Sequence, residues 1–282
     1  MSKPVRTRAA AKLNLALAVT GRRADGYHDL RSVFARVDLA DDVRVARHTR
    51  LEVRDTVDVG PGEDLATRAV RALARAVGRE PHAFVRIRKR IPLAAGLGGG
   101  SSDAAAVLRA LAVIWKTGVD LAAVGAEIGS DVPFFARDVA LALVSGRGES
   151  VAPLPAPQDP LHVVIVRPTL RLSTAEVFAE LRDDDRHALA HVDALASAFA
   201  RGPVTPELVR VHAENDLLAP AQRRCPAIAS WRAAAAARGV ALALTGSGPA
   251  LFAVADDRAD ALRMARILAR AGLRARPHLA AI

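Results

Sequence analysis

The sequence predicts an α+β fold in two domains. Three observations predict it: strand-like and helix-like segments mix without strict βαβ alternation, a glycine-rich stretch stands between a strand pattern and a helix pattern, and prolines cluster near mid-chain. That cluster, Pro153, Pro155, Pro157 and Pro160, reads as a linker and divides an N-terminal domain, 1–155, from a C-terminal domain, 156–282. At 282 residues and 51% hydrophobic, the chain can build such cores without metals or crosslinks.

The elements follow in order. From Val5 to Val53 apolar residues alternate as in strands, broken by Gly21, Gly26 and Asp41-Asp42. Asp64 to Val77 has helical spacing through Leu65, Ala69, Leu73 and Val77. Phe84–Arg88 alternates as a strand that Pro92 ends, and a helix is expected over 101–115 with Val107, Leu108, Leu111 and Trp115 on one face. Strands are expected at 139–145 and 163–166, then helices at 174–182 and 185–200. A compact unit closes the chain: helix 227–238, strand 240–244, Gly246-Ser247-Gly248, strand 250–255 and helix 258–271.

Composition excludes several classes. Cys225 is the single cysteine, so no disulfide can form within the chain, and it reads as a structural thiol. No apolar run reaches the ~18 residues that span a bilayer, and the basic start Met1-Ser2-Lys3 lacks the apolar centre of a secretion signal. These features predict a cytoplasmic protein with no membrane partner. A net charge of +10 invites a nucleic-acid reading, but only Lys3, Lys12, Lys89 and Lys116 are lysines. The arginines are scattered among alanines, and aromatics are 4%, too few for base-stacking platforms. A solvated arginine-rich surface that attracts an anionic small molecule is the expectation, with oligomeric state left open.

The glycine stretch carries the first chemistry. In Pro92-Leu93-Ala94-Ala95-Gly96-Leu97-Gly98-Gly99-Gly100-Ser101-Ser102-Asp103, the glycines let backbone approach a ligand, and Ser101 to Asp103 supply N-cap chemistry for a helix. Backbone N–H groups at a helix start form an anion cradle suited to polyphosphate. The stretch is not a Walker A loop, because Ser101 follows Gly100 where lysine is required. Nor is it a dinucleotide fingerprint, whose sixth position counted from Gly96 is again Ser101.

Written Pro-x-x-x-Gly-Leu-Gly-Gly-Gly-Ser-Ser-Asp-Ala, the loop resembles the ATP signature of the GHMP kinase superfamily. Further motifs narrow the resemblance: Ala11-Lys12-Leu13-Asn14-Leu15, Gly26-Tyr27-His28, Gly129-Ser130-Asp131-Val132-Pro133, and Thr245-Gly246-Ser247-Gly248-Pro249. In this order they are similar to the branch whose acceptor alcohol is a diphosphocytidyl-linked methylerythritol, in non-mevalonate isoprenoid synthesis. The resemblance covers roughly residues 9–255. It implies an S5-like N-terminal domain, a ferredoxin-like C-terminal domain, and ATP-dependent phosphorylation of the acceptor's 2-hydroxyl.

The resemblance also implies roles. Asp131 matches the base that takes the hydroxyl proton, and Lys12 the lysine that keeps it ionised and stabilises developing charge. Pro92 to Ser102 would hold ATP phosphates and Lys89 would lie near the adenine. Tyr27 and His28 would read cytosine, with Phe178 completing a sandwich near Thr174; Asn14, Phe34 and Gly246 would line the acceptor pocket. Mg²⁺ is expected with ATP, its protein ligand unassigned, with Ser101 and Ser102 as candidates.

Two departures stand out. Glu63-Asp64-Leu65 puts Asp64 where the family carries asparagine, and Ala94 and Ala95 replace loop glycines, so the first turn is expected to avoid positive φ there. Asn215-Asp216-Leu217 matches a late family motif and reads as structural. Two alternatives remain. A homoserine or mevalonate-type kinase leaves Gly26-Tyr27-His28 unused, and a basic RNA-binding protein leaves Lys12, Asp131 and the loop idle.

Overall fold

A computed structural model describes residues 3–57 and 64–282; Met1, Ser2 and Glu63 of the sequence motifs lie outside the described residues. The N-terminal half runs β1 (Val5–Arg22), β2 (His28–Arg47), β3 (Glu52–Asp55), α1 (Leu65–Ala76), β4 (Ala83–Arg88), α2 (Gly99–Trp115), α3 (Leu121–Ala126), α4 (Val132–Ala136), β5 (Leu141–Gly146) and β6 (Ser150–Pro153). The C-terminal half runs β7 (Leu161–Val166), α5 (Thr174–Ala179), α6 (Leu189–Arg201), α7 (Pro206–His212), α8 (Leu218–Arg224), α9 (Ala227–Ala236), β8 (Ala243–Leu244), β9 (Leu251–Val254), α10 (Arg258–Arg270) and β10 (Ala275–Ala280).

β2 organises the N-terminal half, because it pairs antiparallel with β1, β4 and β5 at different points along its length. The expected break at Asp41-Asp42 does not occur: β2 runs through both residues for 20 residues in all. Asp41 is tolerated inside the strand because its carboxylate accepts the Arg90 and Ile91 backbone N–H groups and pairs with Lys89. β7, β9, β8 and β10 form the C-terminal sheet, and one register point, Ala280 against Val37, joins it to β2.

Three cores result. One packs α1 and α2, including Leu73, Leu108 and Leu111, onto the N-terminal sheet, and one lies between the C-terminal sheet and its helices. The third spans both halves, joining Leu13 and Leu15 to Val163 and Phe252. The cleft opens above this shared core, so both halves contribute walls.

Short elements account for the other differences from expectation. α3, α4, α7 and α8 have five to seven residues each, too few for periodicity to show. The helix expected from 185 begins at Leu189, after a 3-10 turn over 183–185, and the strand expected from 240 is only Ala243–Leu244.

Candidate active site

The glycine stretch leaves β4 and enters α2 earlier than expected. The cap is Gly98 in the left-handed conformation, φ 70°, with no side-chain cap, so the helix starts at Gly99 and not at the serines. Ser102 N–H already donates to Gly98 O at 2.9 Å, leaving the preceding amides as free donors at the N-terminus of a 17-residue helix. Ser101 faces the main cleft, whereas Ser102 is buried and lines a separate small cavity with Arg8, Arg36 and Arg109.

The glycines are required by contact. A Cβ on Gly96 would lie 2.2 Å from Thr245 O, and one on Gly98 would lie 3.0 Å from the Phe135 ring. Ala94 adopts φ 49°, so the expectation that alanine there avoids positive φ is corrected. The loop is clamped by its neighbours: Ala94 O accepts from Leu172 N–H at 3.4 Å and Ala95 O from Ala250 N–H at 3.2 Å, both from the C-terminal half.

Beneath the loop, Lys89 Nζ lies 2.6 Å from Asp41 Oδ2 and 2.5 Å from Asp103 Oδ2, with all three side chains almost fully buried. Burial pushes the Asp103 carboxyl up to about 8, opposed by Lys89 and reinforced by Asp41. Lys89 thus spends its ammonium under Gly99, whose added Cβ would meet Nζ at 3.4 Å. Asp64, placed where the family has asparagine, caps α1: its carboxylate accepts from Thr67 N–H at 2.8 Å and from Thr67 Oγ1 at 2.6 Å.

At the centre, β1 presents Lys12 and Asn14 on one face. Lys12 Nζ donates to Asn14 Oδ1 at 2.5 Å and Gly96 O at 3.1 Å, and lies 3.6 Å from Asp131 Oδ2. It also sits 4.8 Å above the Phe34 ring. Burial pushes the Lys12 ammonium below its ordinary value, while Asp131 pulls it back up. Asp131 precedes α4, whose N-terminal Pro133 fixes the turn, and its side chain stays 26% exposed toward the cleft. Asn14 is oriented by Ser32 Oγ at 2.9 Å and by Thr245 Oγ1, which accepts the Asn14 N–H at 3.0 Å. Asn215 holds the Gly246 loop by donating to Leu244 O and Gly246 O, which gives the late motif its structural role.

At the far end, the β1–β2 turn carries Tyr27 and His28 and α5 carries Phe178. His28 stacks on Phe178, with ring centroids 5.0 Å apart and planes at 21°. Tyr27 stands 55% exposed, with Arg147 over its ring at 5.2 Å. Burial, then Arg186 and Arg22, push His28 below its ordinary value, so the ring is neutral at pH 7. Thr174 Oγ1 and Ser247 Oγ lie 2.8 Å apart across this end.

These residues line one cleft of about 1580 Å³. That exceeds the ~300–1,000 Å³ of a one-ligand pocket and suits two substrates together. Except for Ser102, every residue expected from the sequence lines it. Sequence reasoning gave no role to Ser32, Thr245 and Asp41, which act through neighbours, and read Asp103 as part of a helix cap, whereas its carboxylate pairs with Lys89. Among the described residues no cluster of three or more His, Cys, Asp or Glu is placed to hold a metal, and no helix is long and apolar enough to cross a membrane.

Comparisons with known proteins agree with this geometry. The pattern described as GHMP kinases N terminal domain matches residues 64–138, and GHMP kinases C terminal matches 204–274. A 4-diphosphocytidyl-2-C-methyl-D-erythritol kinase of Gloeobacter violaceus is 39% identical, covering 95% of this chain and 91% of that one. Its counterpart from Salinispora tropica is 40% identical, covering 94% and 87%. A crystal structure of a 4-(cytidine 5'-diphospho)-2C-methyl-D-erythritol kinase superposes with TM-score 0.79 at 36% identity, covering 98% of this chain and 99% of that one. A homoserine kinase structure from Cytophaga hutchinsonii, at 18% identity and TM-score 0.72 over 99% and 95% of the chains, shares the fold. The chain belongs to the 4-diphosphocytidyl-2-C-methyl-D-erythritol kinases, a branch of the GHMP kinases with an α+β fold.

Proposed function

We propose that the chain transfers the γ-phosphoryl group of ATP to the 2-hydroxyl of 4-diphosphocytidyl-2-C-methyl-D-erythritol. The observation that carries this reading is the Lys12–Asp131 pair at 3.6 Å, set between the glycine loop and the Tyr27–His28–Phe178 end of one cleft. ATP phosphates lie on the α2 N-terminus, where free amides and the helix dipole favour anions. The acceptor's base lies at the aromatic end, and its hydroxyl reaches Asp131.

The acceptor oxygen attacks the γ-phosphorus while the bond to the bridging oxygen breaks and ADP leaves; the hydroxyl proton passes to Asp131. Lys12, held by Asn14 and Gly96, lies 3.6 Å from Asp131 and faces the charge on the transferring group. Mg²⁺ bound with ATP would neutralise phosphate charge, and the cleft-lining Ser101 is the residue that would contribute a hydroxyl to hold it. The division at residues 155/156 belongs to the same reading: the first part supplies loop, lysine and base, the second Thr174, Phe178 and Gly246.

ATP consumption tests the reading, with diphosphocytidyl-methylerythritol, homoserine and mevalonate as rival acceptors. Turnover with the cytidyl acceptor alone is the expected result. Turnover with either rival and none with the cytidyl compound, from folded protein, would refute it.

A further inference from the structure

The acceptor end of the cleft is lined by five arginines: Arg22, Arg147, Arg171, Arg182 and Arg186. Arg147 is placed over Tyr27. The other four are short of side-chain partners, Arg22, Arg171 and Arg186 among them. Among the described residues, neither Arg22 nor Arg171 has a hydrogen bond or ion pair through its side chain. Arg186 has one carboxylate, Asp183, at 3.5 Å, which is 95% exposed, while its buried Nε has no acceptor at all. A buried guanidinium N–H without an acceptor is costly in a free protein, so a ligand that supplies the acceptor is favoured there.

The three come from separate segments: Arg22 ends β1 beside Tyr27 and His28, Arg171 precedes α5 with Thr174 and Phe178, and Arg186 lies between the 3-10 turn and α6. Arg22 and Arg186 both depress His28, which places them within electrostatic range of the aromatic slot. Among the described residues, the acidic ones lining this end are Asp25 and Asp183, and Asp25 is already held by Arg23 at 3.1 Å. The local field is therefore positive and unspent.

We infer that Arg22, Arg171 and Arg186 form a diphosphate grip that selects acceptors carrying a nucleoside diphosphate over those carrying the nucleoside alone. This rests on the cytidyl-acceptor reading and deepens it. A diphosphate must cross from the aromatic slot toward Lys12 and Asp131, and guanidinium forks suit its oxygens through paired charge-assisted hydrogen bonds. Selection follows because an uncharged nucleoside leaves the three like charges unneutralised. The same charges draw a dianionic acceptor in at low ionic strength, an effect that salt screens.

The test is calorimetric binding of cytidine and of cytidine diphosphate, with the nucleotide end filled by a non-hydrolysable ATP analogue. Wild-type protein should bind the diphosphate at least about tenfold more tightly than cytidine, with the ratio shrinking as salt rises. Arg171→Gln and Arg186→Gln should each reduce that ratio by about tenfold with cytidine binding unchanged, and Arg186→Lys should restore part of it. Unchanged cytidine binding shows that the variants are folded and the slot intact. A ratio unaffected by either substitution, or a wild type that binds the two ligands equally, overturns the inference. A wild type that binds neither refutes the cytidyl reading itself, and the inference falls with it.

Discussion

At the nucleotide end, Gly96, Gly98 and Gly99 are packed so closely that any added Cβ would meet a neighbour at 3.0 Å or less; at the acceptor end, Tyr27, Arg22 and Arg171 stand exposed. The first region works through backbone held rigid by a buried ion cluster and two clamps from the C-terminal half. The second works through side chains on three separate segments. A polyphosphate shared by many kinases is suited to fixed amides, whereas telling one alcohol from another needs side chains that can be exchanged. Substitutions should therefore act differently at the two ends.

Gly96→Ala should have the largest effect. Its Cβ would lie 2.2 Å from Thr245 O and 2.9 Å from Gly248 N, both backbone, so the loop must shift. A displacement of about 1 Å costs on the order of 10²-fold; steady-state kinetics should show that loss in kcat/KM for ATP. Tyr27→Ala comes next. Loss of one stacking ring is worth about 1–3 kcal/mol, and it should raise KM for the cytidyl acceptor with that for ATP little changed. A matching rise in both would erase the distinction between the ends.

Asp103→Asn should be smaller and visible through pH. Asp103 faces Lys89, Asp41 and Asp55, and burial raises its carboxyl to about 8, so folding takes up a proton there. Its contribution to stability is complete below the ordinary carboxylate range and is lost as pH rises toward about 8. Asparagine has no proton to lose, so urea denaturation at pH 5 and pH 8 should show a flatter dependence in the variant. An unaltered slope would place the proton elsewhere. Ala94→Gly should be smallest. Relief at φ 49° is about 1 kcal/mol and is offset by a similar loss of glycine backbone freedom. A denaturation midpoint within about 0.5 kcal/mol of wild type is expected, and a loss well beyond that would mean the loop does not need this conformation.

The difference between the ends also decided what the sequence disclosed. Backbone chemistry leaves local signatures, so the glycine run, Lys12 in its strand and Asp131 before Pro133 could all be read from adjacent residues. Asp41 looked like a strand break because its partner, Lys89, is distant in sequence. The cap of α2 was placed at serines because a left-handed glycine cap leaves no side-chain signal. At the acceptor end, Tyr27 and His28 were expected to read cytosine with Phe178 opposite, and in the structure His28 stacks directly on Phe178. Their pairing depends on how the β1–β2 turn meets α5, and no local spacing encodes that. The unpartnered arginines were hidden in an arginine-rich background for the same reason.

The central claim is that Asp131, held beside Lys12, is the base for a hydroxyl brought from the acceptor end. Single-turnover transfer of labelled γ-phosphoryl by Asp131→Asn, with both substrates bound, tests it most directly. The account predicts binding of ATP and acceptor close to wild type with transfer slowed by at least about 10². Transfer at a near-normal rate would contradict it.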